Sequence, residues 1–130
     1  MTIRSGSGGA TEIQHEARWS GGQQLWWRDG KVGDKLELTL PVPTPGRYTI
    51  VMHNTRAFDY GVFQLYLDNE KLGDPIDLYS KDNINKLVSL GTRDLTAGDH
   101  VLTAEIVAAN PQAARRYMLG LDYIKLEPAR

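Results

Sequence analysis

Across residues 34–42 the chain alternates without a break. Leu36, Leu38, Leu40 and Val42 fall on one side, and Lys35, Glu37, Thr39 and Pro41 on the other. A period of two marks an extended segment with one buried face, because successive side chains of a strand point to opposite faces. The pattern recurs. Residues 47–55 turn Tyr48, Ile50 and Met52 inward, and residues 62–68 set Phe63, Leu65 and Leu67 against Val62, Gln64 and Tyr66. Residues 100–108 gather His100, Leu102, Ala104 and Ile106 on one face. Further extended segments are expected over 11–19, 25–28, 76–79, 87–95 and 117–126, the last apolar on both faces as a central or closing strand should be. Turn chemistry punctuates these runs at Pro43-Thr44-Pro45-Gly46, Asp68-Asn69-Glu70-Lys71 and Thr96-Ala97-Gly98-Asp99. No window of eleven or more residues sustains a helical period. Roughly eight to ten short strands spaced by Gly, Pro and Asp predict an all-β fold, a β-sandwich of jelly-roll type.

The chain of 130 residues is large enough for one self-sufficient core. Residues 1–10 are rich in Gly and Ser and read as a flexible leader, which assigns 11–130 to a single sandwich domain. Fifteen basic and sixteen acidic side chains give a formal net charge of −1. Neither nucleic acid nor an anionic membrane is therefore expected as partner, since both call for a basic face. With no cysteine, disulfides and thiolate chemistry drop out. No signal peptide and no membrane-length apolar run is read. A module of a longer secreted or periplasmic protein would have the same composition.

All three tryptophans lie in Trp19-Ser-Gly-Gly-Gln-Gln-Leu-Trp-Trp-Arg28. Trp26 and Trp27 are neighbours, so in an extended segment one indole enters the core and the other faces a cleft, a partner or water. A flat apolar ring beside Arg28 and glutamines suits a ring-shaped polar ligand such as a sugar. Catalytic patterns are missing. His15-Glu16-Ala17-Arg18-Trp19 has Trp where a zinc-protease helix needs its second His. Asp82-Asn83-Ile84-Asn85 lacks the glycine and terminal Glu of a calcium loop. The acids are scattered among turns rather than paired for glycoside hydrolysis, and His15, His53 and His100 stand alone in sequence. No enzymatic activity is expected.

Several pieces in order resemble a known family. Glu16-Ala17 in the opening strand is followed by Ser20-Gly21-Gly22, the aromatic segment and Gly33-Asp34. Then come Pro45-Gly46-Arg47-Tyr48, Leu65-Tyr66-Leu67-Asp68, Ala97-Gly98-Asp99-His100-Val101-Leu102 and Leu121-Asp122-Tyr123-Ile124-Lys125-Leu126. Over residues 12–127 this order resembles the galactose-binding-like β-sandwich of carbohydrate-binding modules, the families numbered six and thirty-five. It is most similar to the C-terminal sandwich accompanying bacterial glycoside hydrolases of the fructofuranosidase and difructose-anhydride kind.

The resemblance implies a non-catalytic accessory module of a carbohydrate-active protein. It also implies a structural calcium held by acids of the opening and closing strands, and Glu16 and Asp122 match two of those positions. Arg18 stands where a further Glu is expected, which favours an Arg18–Asp122 or Arg18–Glu16 ion pair over the metal. The implied sugar site combines Trp26 or Trp27 with Arg28, the loop carrying Arg56, Asp59 and Tyr60, and the loop from Asn110 to Tyr117. A second role is a structural module that packs on a catalytic domain or on a copy of itself as a homo-oligomer, using outward Val51, Val62, Val101 and Val107.

Overall fold

The computed structural model describes residues 2–6, 10–15, 23–28 and 30–129, with side chains from residue 25 onward. Among the described residues eleven strands form two antiparallel sheets and no helix. In chain order they are β1 (Thr2–Gly6), β2 (Ala10–His15), β3 (Gln23–Arg28), β4 (Lys35–Val42), β5 (Gly46–Arg56) and β6 (Val62–Leu67). Then follow β7 (Glu70–Lys71), β8 (Ile76–Asp77), β9 (Ile84–Leu95), β10 (Gly98–Ala108) and β11 (Leu119–Pro128). One sheet runs β1-β4-β10-β6-β7 with β8 paired to β6, and the other runs β2-β3-β11-β5-β9. The all-β sandwich expected from the alternation is the observed fold.

The register shows why. In β4 every second residue, Leu36, Leu38, Leu40 and Val42, is buried. Pairing of Leu38 with Leu102 and Leu36 with Ala104 carries that apolar face onto β10, and pairing of Leu102 with Leu67, Ala104 with Leu65 and Ile106 with Phe63 carries it onto β6. The facing sheet contributes Trp27, Ile50, Met52, Leu119 and Leu121 to the same core. Each fully buried side chain of this kind stabilises the fold by roughly 1.5–3 kcal/mol relative to exposure. The turn joining β6 to β7 places Asp68 and Asn69 at φ 49° and 71°, two successive left-handed residues of the sort that match the twist of a hairpin.

Two expectations need correction. Residues Thr2–Gly6 do not form a leader: they are β1, paired antiparallel with β4 from Thr2 opposite Thr39 to Gly6 opposite Leu36. The composition hid this because an edge strand is held by backbone hydrogen bonds to its neighbour, which any residue but proline can make. The polar stretch before Leu87 also shortens, since β9 begins at Ile84 and pairs with the end of β5.

Candidate functional site

Three loops meet at the end of the sandwich where β3 and β5 finish and β6 and β11 begin. The Ala114 N–H donates to the Phe58 carbonyl at 2.8 Å, Met118 N–H to the Asp59 carbonyl at 3.2 Å, and Gly61 N–H to the Met118 carbonyl at 3.1 Å. Segment 77–80 joins them: Ala57 N–H donates to the Leu78 carbonyl at 3.2 Å, and Ser80 N–H to the Ala57 carbonyl at 3.1 Å. Nδ2 of Asn110 donates to Oδ2 of Asp77 at 2.8 Å, while its Oδ1 accepts the Gln112 N–H at 2.9 Å. Gly61 permits the close approach. A Cβ at that position would lie 3.0 Å from Cα of Tyr117, which itself holds φ 52°. The outcome is a rim of irregular backbone stitched by hydrogen bonds and mounted on rigid strands.

The predicted residues sort into three groups on this end. At the rim, Arg56 donates from Nε to Oδ1 of the fully buried Asn54 at 3.4 Å. Asp59 is buried with Oδ2 3.8 Å from a terminal nitrogen of Arg116. Tyr117 is half-buried there, and Phe58 is the exposed aromatic, with 53% of its surface accessible. A second group lies on the adjoining outer sheet face. The half-buried Trp26 carries the guanidinium of Arg28 5.4 Å above its ring, a cation–π contact. The pairing registers align Trp26, Gly120, Thr55 and Asn85 in one row across the sheet.

The third group is a correction. Trp27 is only 1% exposed and Tyr60 only 5%. Trp27 is the inward indole of the pair, tilted against Phe63 with ring centroids 6.0 Å apart. Tyr60 is drawn under by the bridge its backbone makes with Met118. Burial of an aromatic ring is worth more than leaving it at a loop tip, and a ring sealed in the core cannot stack on a ligand. Neither lines an open groove.

Asp122 also finds a partner that sequence reading missed. A bulge at Leu121/Tyr123 interrupts the pairing of β11 with β5 and leaves Asp122 beside His53. Nδ1 of His53 donates to Oδ2 of Asp122 at 2.6 Å, the carboxylate being 1% exposed, and the imidazole stacks on Tyr123 at 5.0 Å. Glu16 and Arg18, the other members of the expected calcium or ion-pair cluster, lie outside the described residues. Calcium takes six to eight oxygen ligands. Among the described residues no group of three or more His, Cys, Asp or Glu converges, so those residues do not fit the ion.

His100 is likewise not alone. Its Nδ1 donates to Oδ2 of Asp68 at 2.5 Å and its Nε2 to the Thr96 carbonyl at 2.8 Å. Hydrogen bonds to both ring nitrogens raise the imidazole above its ordinary pKa: Asp68 acts most, then the Thr96 carbonyl, against the opposing effect of burial. For Asp68 burial pulls upward, but the Val101 N–H and His100 together outweigh it and lower the carboxyl. Both partners are remote in sequence, so only the hairpin geometry could reveal them. A hollow of about 420 Å³ lined by Lys35, Glu37, Tyr66, Asn69 and Thr103 on the outer face of the first sheet was also not legible beforehand.

No protein-family model matches the chain, and no curated protein does. Solved structures do share its fold. A Paenibacillus xanthan lyase superposes with a TM-score of 0.89 at 22% identity over 98% of this chain, which spans only 12% of that enzyme. A family 35 carbohydrate-binding module from an environmental isolate gives 0.63 at 16% identity, covering 95% of this chain and 85% of the module. A carbohydrate-binding module of Cellvibrio mixtus lichenase 5A, solved with cellotriose, gives 0.59 at 16% identity, covering 98% of this chain and 92% of that one. The fold is that of carbohydrate-binding-module sandwiches.

Proposed function

We propose that this chain is a non-catalytic carbohydrate-binding module that holds a saccharide at the loop rim, within a larger carbohydrate-active protein. Phe58 and Tyr117 offer ring faces to a sugar, and Trp26 with Arg28 extends the platform onto the sheet. Arg56, Asp59 and Asn110 supply the hydrogen-bonding groups that select among hydroxyls. The observation that carries the reading is the convergence of these groups on one end of a module-sized sandwich. Whole-length likeness to two solved carbohydrate-binding modules supports it. The solved neighbours named above come from other enzyme classes, so the narrower expectation of a fructofuranosidase partner is not carried forward.

Absence of catalysis follows the same reading. Nε2 of His100 is engaged by a backbone carbonyl. The described hydrogen bond of the His53 ring is to Asp122, not to a nucleophilic hydroxyl. Neither pair has the nucleophile–base–orienter order of acyl or glycosyl transfer.

Isothermal titration with a panel of neutral and acidic oligosaccharides tests the proposal. Binding is expected in the wild type, with a loss on the order of tenfold, ~1.4 kcal/mol, in Phe58→Ala or Trp26→Ala. If no saccharide binds at millimolar concentration, the proposal is wrong. If Tyr66→Ala abolishes binding while the rim variants do not, the ligand sits in the hollow on the first sheet instead.

A further inference from the structure

Six arginines have described side chains, and they are divided unevenly between the two ends of the sandwich. Arg47 and Arg93 lie away from the rim and are engaged there. Arg47 stands 3.6 Å from Asp94, and Arg93 donates to the carbonyls of Thr92 at 2.9 Å and Lys71 at 3.0 Å. Arg28, Arg56, Arg115 and Arg116 are at the rim end, although the whole chain carries a net charge of −1. Concentration of one sign of charge in one region focuses the field on ligands of the opposite sign.

The acids near these arginines are already committed to holding the loops. Oδ2 of Asp34 accepts the Lys31 N–H at 3.0 Å, and Asp77 accepts from the Tyr79 N–H at 2.9 Å and from Asn110 at 2.8 Å. Asp59 faces Arg116 at 3.8 Å. By contrast Arg115 is exposed and makes no ion pair among the described residues, and Arg56 is tied only through Nε to Asn54. That single bond orients the guanidinium and leaves both terminal nitrogens as donors. A guanidinium fork matches a planar carboxylate with two parallel hydrogen bonds, a geometry that a neutral hydroxyl cannot return.

Resting on the carbohydrate reading above, we propose that the rim selects saccharides carrying a carboxylate, that is, hexuronic acid units, with Arg56 and Arg115 holding the acid group. The sugar ring is packed by the aromatics, and the arginines set the charge preference.

The test compares three oligomers by titration calorimetry: an oligouronate, the methyl ester of the same oligouronate, and a neutral hexose oligomer. The free acid is expected to bind at least about tenfold tighter than its ester, and to weaken steeply between 50 mM and 500 mM salt, as partly exposed charges do. Arg56→Gln and Arg115→Gln are each expected to remove about tenfold of the affinity for the acid and little of that for the ester. Arg47→Gln, at the other end, is expected to change neither. Equal binding of acid and ester overturns the carboxylate preference while leaving the carbohydrate reading standing. No binding of any of the three, nor of the wider panel, removes both. A sulfated oligomer that binds more tightly than the uronate overturns the assignment to a carboxylate.

Discussion

Replacing Asp68 by Asn tests the account of the hairpin clasp directly. In the wild type the Asp68 carboxylate accepts from His100 and from the Val101 N–H, while His100 donates its other nitrogen to Thr96. The clasp therefore needs an ionised Asp and a protonated His. The imidazole is raised above its ordinary 6.5, so its contribution is complete below that value and is lost as pH rises through the folded-state pKa. The carboxyl is lowered below 3.8, so its contribution is complete above that value and is lost as pH falls through the folded-state pKa. Between about pH 4 and 6.5 both are present. The Asp68 side chain is 48% exposed and that of His100 10%. A charge-assisted bond to so wet an acid contributes about 1 kcal/mol rather than the larger figure for a dry pair. With a urea slope near 1.5 kcal/mol/M this is a midpoint shift of ~0.7 M. Urea denaturation at pH 5.5, 7 and 8.5 is the assay. The wild-type midpoint should fall by about that amount across the range, and the difference from Asp68→Asn should shrink toward zero at the alkaline end. Working with that difference cancels the titration of His53. If the two proteins lose stability in parallel from pH 5.5 to 8.5, the clasp is not charged and the reasoning fails.

Trp27→Ala should destabilise the fold by about 3–5 kcal/mol in the same assay, because it empties a fully buried indole site, whereas Trp26→Ala should stay within about 1 kcal/mol. Gly61→Ala brings a methyl group to 3.0 Å from the Tyr117 backbone; it should cost about 1–3 kcal/mol by overpacking and weaken saccharide binding through the displaced loop. Asp122→Ala leaves His53 without its buried acceptor and should lower stability by about 1–3 kcal/mol, with chemical-shift changes at His53 and Tyr123 marking the lost stack. Sedimentation at micromolar concentration checks the packing-module alternative, for which the expected result is a monomer, and a concentration-dependent dimer would revive it.

Much of the scaffold was legible because its signal is local. The alternation in β4, β6 and β10 reports burial on one face of each strand, and no distant residue has to be known to read it. The choice between Trp26 and Trp27 was not local. Parity says that one indole goes inward, but which one depends on the pairing of Leu119 with Trp27 and Gly120 with Trp26. The histidine–carboxylate pairs were hidden for the same reason. His53 and Asp122 are 69 residues apart and meet only through a bulge in β11. At the rim the sequence offered polar loops of ordinary composition. Their convergence rests on backbone bonds such as Ala114 to Phe58, which leave no trace in side-chain identity.

The course of β11 has a practical side. It starts beside the rim at Leu119 and ends with Pro128 opposite Tyr48, near the other extremity of the sandwich. Nine steps of about 3.3 Å put some 30 Å between its two ends. A biotin or affinity handle attached beyond Pro128 would therefore moor the molecule by its base, with the loop end directed away from the support. Polymer capture on a sensor chip can then be measured without the anchoring chemistry masking the surface under test.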